Sequence, residues 1–337
     1  MNKIYNLDLQ LFAEGTVNAT TSPGLSAENK TFYDKVLIQT AEPKLIHDQF
    51  AQKRDIPQNG GKKIEFRKYA SLPKATQPLV EGVTPDGQTL EVSKIEAEVS
   101  QYGGYVTLTD ILKLTAIDNN IVEATKAIGN QAGITLDTIT RNVMQSGTNV
   151  FYCPKSDGTA VTSRAALNAT CKLTVAVVKD VATFLKANNA PKIGDSYVAI
   201  IHPYVASDLM DDPEWKYPHQ YQDTTEIYEG EIGKIHGVRF VETSEAKIYA
   251  GSSDGCPTGL AVFGTLFLAD GAYGTTEVTG GGLETIIKQL GSAGTADPLN
   301  QRATVGWKAL KTAEILVQPY IVRVESCGKY SATAKAN

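Results

Sequence analysis

The chain has 337 residues, 42% of them hydrophobic and 20% charged, and a net charge of −5. That length suggests about two domains, and the apolar fraction is enough for real cores. The acidic balance gives no general reason to bind nucleic acid or an anionic membrane, and no apolar run of about 18 residues is present to cross a bilayer.

The opening stretch, residues 1–14, has a single Lys, and Asp8 and Gln10 interrupt its apolar residues. It does not read as a signal peptide. Residues 15–31 are rich in Thr, Ser, Asn, Ala and Gly without a period, which predicts an arm that is flexible or ordered only by a partner. A short amphipathic helix is expected at 31–42, with Phe32, Val36 and Ile38 apolar.

Residues 57–108 are the most informative irregularity. After a Pro57-Gln-Asn-Gly-Gly61 turn, residues 62–69 alternate, with Ile64 and Phe66 on one side and Lys63, Glu65 and Arg67 on the other. Pro73, Pro78 and the turn Pro85-Asp86-Gly87 follow, and then a second alternating strand through Ile95, Ala97 and Val99. The pair predicts a long hairpin with polar outer faces. Two strands alone are marginal in water, so the arm must lie on its own domain or on a neighbouring chain. Its first strand carries Lys62, Lys63, Arg67, Lys68 and Lys74, and its second carries Glu91, Glu96 and Glu98. These charges can pair within the hairpin or dock identical chains; the two readings are compatible.

Apolar residues then recur every three or four positions at Ile117, Ile121, Ala124, Ile128, Ala132, Leu136, Ile139 and Val143. This predicts one amphipathic helix over 117–146, about 45 Å long, started by Thr115 and Asp118 and stopped at Gly147. Gly129 and Gly133 inside it are either tolerated or mark a close backbone approach or a bend.

Farther on, residues 174–186 read as a helix capped by Thr174, 197–201 as a buried strand, and 203–210 as a helix begun by Pro203. Residues 211–230, with Trp215, Tyr217 and Tyr221, read as a long loop of the kind that usually serves a function or an interface. Strands are expected at 237–241, 259–269, 304–310, 314–318 and 320–325, and a short helix at 283–290.

Catalytic signals are thin. His47, His202, His219 and His236 have no metal-binding spacing among them. His202 before Pro203 suits a structural hydrogen bond. Asp208, Asp211, Asp212 and Glu214 read as a solvated helix end, lacking the spacing of a calcium loop. Cys153, Cys171, Cys256 and Cys327 are far apart and predict reduced, structural thiols in a cytosolic setting. A hydrolase built on His202 and the 208–214 acids is the rival from another class.

Several stretches together carry a family resemblance. They include Leu9-Gln-Leu-Phe-Ala13, His47-Asp-Gln-Phe-Ala-Gln-Lys-Arg54, Asn59-Gly-Gly-Lys-Lys-Ile-Glu-Phe-Arg-Lys68 and Glu81-Gly-Val-Thr-Pro-Asp-Gly87. Others are Asp118-Asn-Asn-Ile-Val-Glu-Ala-Thr125, Ile201-His-Pro-Tyr-Val-Ala-Ser-Asp-Leu209, Gly237-Val-Arg-Phe-Val-Glu-Thr243 and Gly306-Trp-Lys-Ala-Leu310. The chain resembles major capsid proteins of tailed bacteriophages, of the N-four-like group. The resemblance implies the α+β Hong Kong 97-like capsid fold. Residues 1–56 would be its N-terminal arm and 57–108 its extended loop. Residues 109–170 with 295–337 would form a peripheral domain around a spine helix, and 171–294 an axial domain with central loops at 211–230 and 271–282.

On that reading the chain is no enzyme and needs no cofactor. It assembles with itself as hexamers and pentamers into an icosahedral head, with Lys62, Lys63, Arg67, Lys68, Lys74, Glu91, Glu96, Glu98, Trp215, Tyr217 and Tyr221 at subunit interfaces. Its further partners would be a separate scaffolding protein, a portal and non-specifically held double-stranded DNA, without a membrane. An encapsulin-type compartment shell is the alternative of the same fold.

Overall fold

The computed structural model describes residues 46–57, 61–69, 72–78, 81–82, 84, 87–111, 120–215, 231–278, 281–292 and 297–337. The expected flexible stretch at 15–31 and helix at 31–42, Pro85 and Asp86 of the expected turn, the helix start at Thr115 and Asp118, and Tyr217 and Tyr221 lie outside them. The first strands are β1 (Gln52–Ile56), β2 (Lys63–Tyr69), β3 (Val92–Glu98) and β4 (Ser100–Thr109). Then come α1 (Asn120–Gln145), β5 (Val150–Tyr152), α2 (Val175–Ala187), β6 (Tyr197–Ile201) and α3 (Pro203–Met210). The later strands are β7 (Glu231–Ile235), β8 (Val238–Glu242), β9 (Ile248–Tyr249), β10 (Val262–Leu268) and β11 (Tyr273–Val278). The last are β12 (Glu284–Lys288), β13 (Arg302–Ile315) and β14 (Ile321–Ser326).

These elements form two compact units. One combines Gln101–Leu136 with Gly281–Leu310; the other combines Ile46–Ser100, Asp137–Gly280 and Lys311–Asn337.

In the first unit, alternate residues of β13, Val305, Trp307 and Ala309, pack with Ile128, Ala132 and Leu136 of α1 and Leu108 of β4. The spacing of four on the helix and two on the strand puts each set on one face. β12 pairs antiparallel with β13, Thr285 opposite Trp307. The helix expected at 283–290 is therefore this strand: Thr285, Ile286 and Ile287 are β-branched and find a ladder partner, which outweighs a weak helical period. The backbones of β4 and β13 come so close at Gly103 and Gly306 that a side chain is excluded there, while at Gly104 the Gln131 side chain of α1 fills the space. A Cβ on Gly306 would sit 2.8 Å from Tyr105 Cβ and 3.0 Å from Gly104 O, and one on Gly103 would sit 2.6 Å from Trp307 O. Gly306→Ala should therefore lower stability by about 1–3 kcal/mol, read as a shift in denaturation midpoint at constant m value.

In the second unit, a sheet runs β5-β14-β10-β6-β8-β7, with β9 on β10. Its β6 is buried at all five positions. The α2 helix lays Val178, Val181 and Leu185 into the adjoining core, as its spacing predicts. Its cap differs: Thr174 has the extended conformation of a cap residue but no side-chain bond, and Asp212 Oδ2 accepts the Val175 N–H at 3.0 Å instead. A two-residue turn at His236 and Gly237, with φ of 50° and 80°, joins β7 to β8. Both residues adopt positive φ, as the tight hairpin turns that match strand twist require. The expected central loop at 271–282 contains instead β11, hydrogen-bonded to β13 on one side and to β1 in parallel on the other. The separate strands expected at 304–310 and 314–318 are one continuous β13 ending at Ile315.

The long helix is present and unbroken, and both Gly129 and Gly133 are buried. Its buried face departs from the apolar stripe in the last turns. Ile139 and Val143 are only half-buried, whereas Asp137, Thr140, Arg141 and Met144 are buried. The polar members are accounted for by a buried clamp. Asp137 accepts the His47 N–H at 2.9 Å and pairs with its ring Nδ1 at 2.7 Å. The Thr140 hydroxyl donates to Asp48 Oδ1 at 2.7 Å, Lys311 Nζ is ion-paired with Asp48 Oδ2, and the Tyr273 hydroxyl donates to His47 O. Arg141 donates to the Glu245 carbonyl at 2.7 Å.

All four cysteines are free and buried. Burial pushes the thiols of Cys153 and Cys256 up, and that of Cys327 up to about 12. Thiolate, the reactive form, is thus scarce near neutral pH. A thiol reagent such as Ellman's should count essentially no reactive cysteine in the native protein and four after denaturation.

Candidate assembly interface

The hairpin forms as the alternation predicts. β2 and β3 pair antiparallel, so directly opposed residues share a face. Ile64 faces Ala97 and Phe66 faces Ile95 on the half-buried or buried side. The other face is exposed and consists of four rungs: Lys63 with Glu98, Glu65 with Glu96, Arg67 with Lys94, and Tyr69 with Val92.

Two of these rungs oppose like charges, which by itself disfavours the pairing. Lys94 offsets this by reaching both acids, Glu96 at 2.6 Å and Glu65 at 3.4 Å. Those bonds, first to Glu96 and then to Glu65, raise the Lys94 pKa, and Lys94 lowers that of Glu96. Lys63 lies 3.8 Å from Glu98, and Arg67 lies 3.9 Å from Glu65. The charges therefore do pair within the hairpin, but all remain open to water, where such pairs contribute little. Among the described residues Lys62, Lys74 and Glu91 make no ion pair, and nothing is shown for the Lys68 side chain.

The same face ends in an apolar rung, Tyr69 with Val92, and Leu72 and Leu90 just beyond the strands are exposed too. Tyr69 and Leu90 are 60% exposed, and Leu72 and Val92 are 51% exposed. The signal was available: Tyr69 and Val92 fall on the parity of the charged residues, where a half-buried strand should be polar. Large apolar side chains left in water beside a charged strand face mark a contact surface.

Trp215 is different. It is 4% exposed and packs edge-to-face on Phe240 at 5.5 Å, inside the core of its own unit. Its surface is already covered.

The features that a hydrolase would need are structural. His202 caps α3, its Nδ1 accepting the Tyr204 N–H at 3.1 Å, and its ring stacks on Phe263 at 5.5 Å. Burial lowers its pKa, consistent with a neutral imidazole acting as acceptor. Asp208 is not a solvated helix end: it is 6% exposed, pairs with Lys172 at 2.7 Å and accepts the Lys329 N–H at 3.1 Å. Asp212 binds the Val175 and Glu214 amides. Their partners Lys172, Val175 and Lys329, remote along the chain, make braces of Asp208 and Asp212, whereas Asp211 and Glu214 are exposed as expected. Among the described residues no group of three His, Cys, Asp or Glu side chains could hold a metal ion, and no described helix is long and apolar enough to cross a membrane.

The fold has clear relatives among solved structures. The capsid of cyanophage Pam1 superposes with a TM-score of 0.66 at 14% identity, over 96% of this chain and 98% of that one. The capsid of Ralstonia phage GP4 gives 0.62 at 14% identity, over 83% and 87%. The capsid of cyanophage P-SCSP1u gives 0.62 at 15% identity, over 96% and 94%. No curated protein matches the chain in sequence. The sequence profile of the phage capsid protein family matches residues 92–319, from the start of β3 to the approach of β14. The chain has the Hong Kong 97-like α+β fold of these capsids, and with the profile matched over more than half of its length it belongs to the phage capsid protein family.

Proposed function

We propose that this capsid protein closes the head shell as hexamers and pentamers through its hairpin. The outer face of β2–β3 is laid across a neighbouring copy, and the arm preceding residue 57 fastens adjacent capsomers. The observation that carries this reading is the exposed four-rung face that ends in the apolar pair Tyr69 and Val92, with Leu72 and Leu90 just beyond the strands exposed as well. A two-stranded arm keeps such apolar groups in water at a cost that a second copy would relieve. Residues 57–108 then serve as the extended loop, 109–170 with 295–337 as the peripheral domain, and 171–294 as the axial domain. Tyr217 and Tyr221 belong to the central contacts of each capsomer. A separate scaffolding protein and a portal guide assembly in the host cytoplasm. The enclosed double-stranded DNA is held weakly and without sequence preference, because the net charge of −5 gives little phosphate attraction.

Deleting residues 70–90 tests this. The variant should remain folded and soluble by circular dichroism and size-exclusion chromatography yet form no closed shells in electron micrographs. Normal particles from the deleted protein would overturn the role of the hairpin.

A further inference from the structure

A groove of about 470 Å³ lies between the inner side of the hairpin and the start of β1, entirely within the second unit. Its apolar lining is Ile64, Phe66, Ile95, Leu316 and Val317, and Gln52 and Arg54 of β1 stand along its edge. Among the described residues β1 pairs only with β11, at the end of its sheet, and Gln52, Lys53, Arg54 and Asp55 are exposed. An unpaired strand edge beside an apolar groove is a template for one more strand.

The chain itself carries a segment with the matching pattern. In a strand, Leu7-Asp-Leu-Gln-Leu-Phe-Ala-Glu14 would place Leu7, Leu9, Leu11 and Ala13 on one side, all apolar, and Asp8, Gln10, Phe12 and Glu14 on the other, where only Phe12 is apolar. Beside β1, the leucine side would face the groove together with Gln52 and Arg54. Asp8 would then share the opposite side with Lys53, which the two-residue period assigns to that side of β1. Residues 15–45 separate the segment from Ile46, chain enough to span at most about 100 Å. The groove is therefore within reach, and the covalent tether gives the chain's own segment a higher local concentration than any free copy has.

We propose that Leu7–Glu14 docks in this groove of its own chain as an added strand on the outer edge of β1, with Leu7, Leu9 and Leu11 seated against Ile64, Phe66 and Ile95. The site is distinct from the outer hairpin face assigned to neighbour contact, its occupancy does not depend on shell closure, and it leaves the rest of the arm to fasten adjacent capsomers.

The test uses the full-length, unassembled chain with a benzophenone photo-crosslinking residue at position 9, prepared as a mixture of ordinary and nitrogen-15-labelled protein. After irradiation, mass spectrometry should map crosslinks to 52–56 or 63–67 within single-isotope, same-chain products. Adding Phe66→Asp should reduce that yield by roughly tenfold, since an apolar seat worth about 1.4 kcal/mol corresponds to that factor. Circular dichroism and the thermal midpoint establish that the variant is folded. If Phe66→Asp unfolds the chain, Leu11→Asp in the segment itself serves in its place. Crosslinks that map elsewhere, that join only differently labelled copies, or that persist undiminished in the folded variant would overturn the proposal, as would their absence.

Discussion

Replacing Lys311 with alanine should destabilise the protein by about 3–5 kcal/mol. The ammonium is 1% exposed and is ion-paired with Asp48, whose other carboxylate oxygen is held by the Thr140 hydroxyl. Removing one partner leaves a carboxylate in a site largely shielded from water, and that desolvation penalty is then uncompensated. Replacing both partners together, Lys311→Met with Asp48→Leu, should cost far less, because no charge is stranded. Urea titrations of the two single variants and the double variant check this as a double-mutant cycle. Additive losses in the double variant would mean that the pair contributes through packing alone. The effect should extend to the entry of the chain into the second unit. Residues 46–51 are held there by His47 on Asp137, by Asp48 on Thr140 and Lys311, and by Tyr273 on the His47 carbonyl.

The second large effect is expected at Arg164. Its guanidinium meets Glu325 with two bonds of 2.7 and 2.5 Å, donates to the Asp254 carbonyl at 2.7 Å and lies 3.7 Å over the Tyr249 ring. The bonds to Glu325 lift its pKa further above the ordinary value. Glu325 is fully buried on β14, and among the described residues Arg323, at 2.9 Å, is the cation left to it when Arg164 is gone. Arg164→Ala should therefore cost about 3 kcal/mol, toward the lower end of the range for a broken buried pair. Arg164→Lys should recover only part of it, because an ammonium cannot form the two-pronged contact or cover the ring as a planar group does. Thermal melts of both variants give the order: wild type, then Lys, then Ala. A Lys variant as stable as wild type would show that charge alone suffices.

The elements that the chain disclosed in advance were those whose burial follows one period. The alternation at 62–69 and 92–99 became β2 and β3, and the spacing of Val178, Val181 and Leu185 became the inner face of α2. Elements defined by a partner stayed hidden. Strand β1 is polar at four of its five positions and exists because β11 lies beside it. Residues 283–290 looked helical until β13 provided a ladder for them. The end of α1 misled for a related reason: an apolar period foretells apolar burial, but Asp137, Thr140 and Arg141 are buried by polar partners 90 or more residues away in sequence. At the candidate interface, the charges of the hairpin were legible and their mutual pairing was anticipated. The exposed apolar end needed the register, which sets Tyr69 beside Val92.

That register also has a consequence for fidelity. From Lys63/Glu98 through Glu65/Glu96 and Arg67/Lys94 to Tyr69/Val92, the outer face reads mixed, acidic, basic, apolar. No two successive rungs have the same character, and each rung is about 7 Å from the next. A surface complementary to this ladder in one alignment meets like charge or stranded apolar area when displaced by a single rung. In the proposed docking the hairpin would work as a short barcode: its individual contacts are weak enough to let go, and their order would reject a neighbour that has come to rest one step out of place.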